Sequence, residues 1–106
     1  MKDMVELTER TFNERVAHDT TIIDFWAEWC GPCKTLGPIF AQVAQTLGDK
    51  ATFAKLNVDQ APAVATAQQV MSIPTILVMR DGAEIGRLVG SRPAEQLQRE
   101  LESLLS

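Results

Sequence analysis

Two cysteines, Cys30 and Cys33, are the only thiols in this chain of 106 residues, and they stand three apart in the run Trp29-Cys30-Gly31-Pro32-Cys33-Lys34. Residues three apart on a helix share a face, with Cβ atoms roughly 5–6 Å apart. A small adjustment brings such a pair within disulfide range, so it can open and close without rebuilding a fold. A helix N-terminus also carries unpaired backbone N–H groups and the positive end of the helix dipole. A thiolate at Cys30 is the kind of anion those groups favour, and the thiolate is the reactive form of cysteine. Pro32 fits this place, because a first-turn residue needs no intrahelical N–H.

Three plainer readings compete. Cytosolic cysteines are commonly inert core residues, but the adjacent Gly31-Pro32 and a strand-to-helix turn argue against burial. A structural bridge over so short a loop restrains the unfolded chain little. Half a zinc site would need Asp or Glu to complete it within one chain, since His18 is the only histidine. Redox chemistry is the reading that motif and context favour.

The elements that must position the pair are legible as changes of period, the mark of an α/β domain. Thr21-Ile22-Ile23-Asp24-Phe25-Trp26-Ala27 is almost continuously apolar, as a central strand covered on both faces should be. A long helix is expected from about Cys33, with Leu36, Ile39, Phe40, Val43, Ala44 and Leu47 on one face. Gly48 is its expected stop, and Pro38 a point of bending. Before these, Val5 to Thr8 reads as a short strand, and Thr11 with Glu14 as a capping box opening a helix to about His18. After them come a strand over Thr52 to Val58, Asp59 as a candidate N-cap, and a weaker helix over Ala61 to Val70. Strands Thr75 to Met79 and Glu84 to Val89 flank the hairpin signal Asp81-Gly82. A last helix over Pro93 to Leu105 carries Leu97, Leu101, Leu104 and Leu105. The expected order is β-α-β-α-β-α-β-β-α: one domain over residues 1–106, with a mixed sheet and helices on both faces.

Composition is that of an ordinary soluble protein, 45% hydrophobic and 23% charged, with a formal net charge of −4. No Lys/Arg cluster supports nucleic-acid or anionic-membrane binding. No apolar stretch is long enough to span a membrane, and the charged start carries no signal-peptide pattern. A cytoplasmic location is the expectation, where structural disulfides are rare.

The segment Asp24 to Lys34 resembles the active-site signature of bacterial-type thioredoxins. Pro38, the run Ala54-Lys55-Leu56-Asn57-Val58-Asp59, Ile73-Pro74-Thr75, Asp81-Gly82 and Val89-Gly90 follow in matching order and spacing, so the resemblance covers essentially the whole chain. It implies the thioredoxin fold, a central mixed five-stranded sheet flanked by four helices. It also implies a general protein-disulfide reductase. Cys30 would be the exposed nucleophile and Cys33 the buried resolving thiol. In thioredoxins as a family the thiol pKa is about 7 against about 8.5 for a free cysteine, which raises the ionised fraction at neutral pH from roughly 3% to about half.

The resemblance makes Pro74 a cis-proline beside the cysteines and Ile73 the residue whose backbone meets an extended substrate strand. Trp29, Gly31, Pro32, Val58, Ile73, Val89 and Gly90 would form an apolar docking surface. Asp24, by residue type alone, either faces water or is buried with a raised pKa. The family makes it a buried acid that moves the proton of Cys33, with Lys55 as its charged neighbour. Trp26 reads as a core aromatic packed near the active-site loop. His18 reads as solvated, and Met71 and Met79 as packing residues. Gln69 and Ser72 stand where bacterial thioredoxins often carry glycine, Ser91 where a small apolar residue is common, and Met79 where an aromatic is frequent.

The implied chemistry is a two-step thiol–disulfide exchange with no cofactor bound to the chain. Recycling would fall to a flavin- and NADPH-dependent thioredoxin reductase. Ribonucleotide reductase, methionine sulfoxide reductase and peroxiredoxins are the substrates the family suggests, and a monomer is the expected state. Two rivals stand beside this reading. An oxidase or isomerase on the same fold usually has histidine between the cysteines, where this chain has Gly31-Pro32. A non-enzymatic scaffold would use the same surface without the thiols.

Overall fold

Thr20–Trp26 forms the middle strand of a five-stranded sheet, and its almost unbroken apolar character follows from being covered on both faces. The computed structural model describes residues 4–106. In chain order the elements are β1 (Val5–Leu7), α1 (Phe12–Val16), β2 (Thr20–Trp26), α2 (Gly31–Leu47), β3 (Thr52–Asn57), α3 (Pro62–Ala67), β4 (Thr75–Arg80), β5 (Ala83–Val89) and α4 (Ala94–Leu105). The strands lie in the order β1-β3-β2-β4-β5. β1 and β2 run parallel to β3, whereas β4 runs antiparallel to β2 and β5 antiparallel to β4. The expected mixed five-stranded sheet with four helices is the architecture found.

Strand alternation divides the core in two. On one face Ile22, Phe53, Ile76 and Val78 pack under Leu36, Phe40, Val43 and Leu47 of α2 and Leu97 and Leu101 of α4. On the other, Ile23, Phe25, Ala54, Leu56, Leu77 and Met79 pack with Phe12, Val16 and Ala61. By the same alternation Asp24 and Lys55, which are register partners on β2 and β3, fall on the face that α2 covers.

Local details correct several expectations. α2 begins at Gly31, so Cys30 is its N-cap and Cys33 lies in its first turn. Gly48 ends α2 with φ −62°, an ordinary right-handed residue, so the left-handed freedom of glycine is not what stops the helix. Thr11 does precede α1, but its side chain makes no cap bond; it accepts the Thr8 N–H at 3.0 Å, and α1 ends at Val16. Pro93 is the N-cap of α4 rather than its first helical residue. Ala61, not Asp59, caps α3. The Asp81-Gly82 hairpin is present with φ of 50° and 86°, the paired positive values that make Gly82 the suitable residue in so tight a turn.

Because α2 carries the cysteines, its seat on the sheet fixes where they stand. Leu36 is fully buried one turn beyond Cys33. Leu36→Ala is expected to lower unfolding stability by about 2–5 kcal/mol through lost contacts and a residual cavity. A urea titration should show a reduced midpoint at unchanged slope; an unchanged midpoint would mean α2 is not held this way.

Candidate active site

The site is built where β2 stops and α2 starts. Cys30 has extended backbone angles (φ −91°, ψ 110°), which turn the chain out of the strand while its carbonyl already accepts the Lys34 N–H at 3.2 Å. Its sulfur takes the place of a capping oxygen: the Cys33 N–H points at Cys30 Sγ at 3.2 Å. The two cysteines form a disulfide with Cα atoms 5.2 Å apart. An anionic sulfur at position 30 therefore has a backbone donor already aimed at it and the positive end of a 17-residue helix behind it.

Cys30 was expected to be exposed, and in the disulfide form it is not: 5% of it is accessible, little more than the 3% of Cys33. The physical reason is local. The disulfide packs with Ala27 into a small apolar cluster edged by Trp26, Val58 and Ile73. Exposure belongs instead to its neighbours. Trp29, Gly31 and Pro32 lie in the open, and Trp29 is 70% exposed.

Opposite the sulfurs runs the segment leading into β4. The Ile73–Pro74 peptide bond is cis. Pro74 is buried, and the Ile73 carbonyl oxygen lies 3.8 Å from Cys30 Sγ. Thr75 Oγ1 donates to the Ser72 carbonyl at 2.6 Å and the Gly90 N–H to the Pro74 carbonyl at 2.8 Å, which ties this segment to the end of β5. Val89 is 55% exposed there, and Gly90 follows with φ 96°, a conformation that glycine adopts without a side-chain penalty. On the other side the Val58 N–H donates to the Trp26 carbonyl at 2.9 Å. Cys30, Cys33, Val58 and Ile73 thus share one cluster, with Trp29 before α2, Gly31 and Pro32 in its first turn, Val89 at the end of β5 and Gly90 just after it.

Two features escaped the sequence. Asp59, read as a helix cap, instead accepts the Trp29 indole N–H at 2.8 Å, while its own N–H is held by Asn57 Oδ1. An acidic residue after a strand and before a helix signals capping; nothing local says it will reach an indole 30 residues away. Met71, read as a packing residue, is 92% exposed, because the turn before Ile73 carries it outward. Met79 does pack in the core, and His18 is exposed.

Asp24 is buried, not solvent-facing. Only 3% of it is accessible, and among the described residues its Oδ1 has no hydrogen-bond partner. Burial in this apolar layer raises its pKa to about 7, against a smaller lowering by Lys55. Lys55 is its register neighbour and sends its ammonium over the Trp26 ring, 5.1 Å from the centroid. Among the described residues no group of three or more His, Cys, Asp or Glu could hold a metal ion, and no helix is long and apolar enough to cross a membrane.

The raised pKa makes Asp24 a pH-dependent cost to folding. Unfolded, the carboxyl ionises near 3.8; folded, it keeps its proton to about 7. Between those values the native state binds more protons, so stability falls as pH rises, by roughly 4 kcal/mol in all. The urea midpoint of the oxidised protein should therefore drop between pH 5 and pH 8. Asp24→Asn should remove that drop and be the more stable form at pH 8. Parallel pH profiles for the two proteins would show that Asp24 is not the titrating group.

Comparison with known proteins agrees with the geometry. The thioredoxin family model matches residues 3–103. Among curated relatives, the thioredoxin of Staphylococcus saprophyticus is 38% identical over 102 residues, covering 96% of this chain and 98% of that protein. The thioredoxins of Staphylococcus haemolyticus and Staphylococcus aureus are 39% identical over the same shares. With its Cys30–Cys33 pair at disulfide distance across the start of α2, the chain belongs to the thioredoxin family of thiol–disulfide oxidoreductases.

Proposed function

We propose that this chain is a general reductase of protein disulfides in which Cys30 attacks and Cys33 resolves. The observation that carries the assignment of roles is the Cys33 N–H aimed at Cys30 Sγ from the helix start, which favours negative charge on sulfur 30. The Cys30 thiolate attacks one sulfur of a substrate disulfide; a new S–S bond forms to Cys30 and the second substrate sulfur leaves as thiolate. Cys33, losing its proton, then attacks Cys30 Sγ, forms the Cys30–Cys33 bond and expels the first substrate sulfur. Two electrons pass to the substrate and the chain ends oxidised.

Asp24 is assigned the proton of Cys33. Its pKa of about 7 supports this, since a group that exchanges protons near neutral pH suits general acid–base work. Lys55 modulates Asp24 by lowering its pKa. Pro74 shapes the wall opposite the sulfurs, and Ile73 offers backbone to an extended substrate segment, with Trp29, Gly31, Pro32, Val58, Val89 and Gly90 as the apolar surface around it. The exposed Trp29 and Val89 support that assignment. Gly31-Pro32 in place of histidine between the cysteines favours reduction over oxidation or isomerisation.

A flavin- and NADPH-dependent thioredoxin reductase restores the dithiol, and the chain itself binds no cofactor. Ribonucleotide reductase, methionine sulfoxide reductase and peroxiredoxins are the proposed substrates of a cytoplasmic monomer. NADPH consumption coupled through a thioredoxin reductase to insulin reduction tests the whole scheme. Cys30→Ser should abolish it, and Cys33→Ser should accumulate a mixed disulfide with insulin, visible as a mass adduct that dithiothreitol removes. Full turnover by either variant would overturn the division of labour between attacking and resolving cysteine.

A further inference from the structure

Beyond the sulfurs, one charged side chain is built into the loop that faces the substrate. Arg92 follows Val89-Gly90 and precedes α4, yet its side chain is only 14% exposed. Its guanidinium makes three hydrogen bonds. Nη2 donates to the Val89 carbonyl at 2.6 Å and to the Gly90 carbonyl at 3.2 Å, and Nη1 to Glu100 Oε1 of α4 at 2.9 Å. Nε is buried with no partner among the described residues. Taking a guanidinium out of water and leaving one N–H unmatched is costly, and a part-exposed pair with Glu100 together with two carbonyl bonds offsets only part of that cost. Stability is thus a weak explanation for the arrangement.

What the fork holds is more telling. Gly90 sits at φ 96°, where the absence of a side chain leaves the backbone free to move. Its carbonyl is held by Arg92 and its N–H by the Pro74 carbonyl. A continuous line of contacts therefore runs from Glu100 on α4, through Arg92, to Gly90, to Pro74, and on to Ile73, whose carbonyl lies beside Cys30 Sγ. β5 is an edge strand, paired only with β4 among the described residues, so the direction in which its end departs is set by this clamp.

We propose that Arg92 is a positioning residue for substrate docking: its guanidinium, anchored on Glu100, fixes the Val89–Gly90 backbone so that the surface beside the disulfide is ordered before a protein disulfide arrives. The proposal rests on the docking surface assigned above. Preorganisation lowers the ordering cost of binding, so its loss should appear in KM for a protein substrate. Attack on a small aromatic disulfide, which needs sulfur 30 but little surface, should be spared.

Arg92→Leu, Arg92→Lys, Glu100→Gln and Val89→Ser test this, with insulin and 5,5′-dithiobis(2-nitrobenzoate) as substrates. Arg92→Leu should raise KM for insulin about tenfold at similar kcat, with the rate constant for the small disulfide unchanged. Arg92→Lys should fall between it and the unaltered protein, because one ammonium cannot span both carbonyls and the carboxylate. Glu100→Gln, a change at a part-exposed position, keeps the arginine and should give a smaller rise, so the clamp stays testable if Arg92→Leu folds poorly. Equal losses on both substrates would mean a merely structural role, and unchanged KM in Arg92→Leu and Glu100→Gln would mean an idle clamp; either overturns the proposal. Val89→Ser separates the layers: if it leaves KM for insulin unchanged, the docking surface itself is misplaced and the clamp falls with it. Failure of the unaltered protein to reduce insulin would instead sink the reductase reading.

Discussion

One backbone donor organises the site: the Cys33 N–H, directed at the sulfur of Cys30 across 3.2 Å. That contact exists because the chain leaves β2 in an extended conformation and enters α2 at the next residue. A capping position is ordinarily filled by an oxygen that satisfies a helix N–H. Here a sulfur holds it, so the stabilisation that normally serves the helix also serves a thiolate. The same turn brings residue 33 back beneath residue 30, which is why stabilisation of sulfur 30 and a disulfide partner for it come from one piece of geometry.

Around that contact the fold keeps charge scarce. The disulfide sits in an apolar cluster, and the sheet layer under α2 holds, among the described residues, a single buried carboxylate, Asp24, whose ionisation burial opposes. Lys55 offsets only part of that cost, because its ammonium rests over the Trp26 ring, and among the described residues no salt bridge joins it to Asp24. A fully paired aspartate would stay ionised through the neutral range and could not trade protons there. The incomplete compensation is thus what suits Asp24 to the role proposed for it, and the stability it removes above neutral pH is the counterpart of that suitability.

The sequence was informative where one local rule decided the outcome. A near-continuous apolar run and period-3.6 patterning placed β2 and α2, and the Gly31-Pro32 pair between two cysteines located the redox turn. Asp81-Gly82 located a hairpin because few other residues accept its two positive φ values. It was uninformative where two distant segments decide together. Asp59 obeys the local pattern of a helix cap but bonds to Trp29, and nothing around Arg92 in the sequence signals that α4 brings Glu100 beside it. Whether Asp24 is buried was likewise undecidable from Ile22-Ile23-Asp24-Phe25-Trp26, since a carboxylate in such a run either faces water from an edge or is buried with a raised pKa. The burial of Cys30 went against expectation for the same reason: Val58 and Ile73, which help cover it, arrive from β3–α3 and α3–β4 connections far along the chain.

The two apolar layers carry another consequence. A disulfide that closes a loop between residues 30 and 33 restrains the unfolded chain very little, so opening it removes little conformational constraint. The scaffold must then be held by burial, and it is: Leu36, Phe40, Val43 and Leu47 seat α2, with Leu97 and Leu101 of α4 alongside. A protein that cycles between dithiol and disulfide cannot depend on the disulfide for its fold. Because the core supplies the stability, the balance between the two redox states is left to local terms at the sulfurs. The helix-start N–H favours negative charge on the Cys30 sulfur, while burial of both sulfurs opposes it. Chemistry at the site can therefore be tuned by single residues at the turn without unseating the helix that carries it.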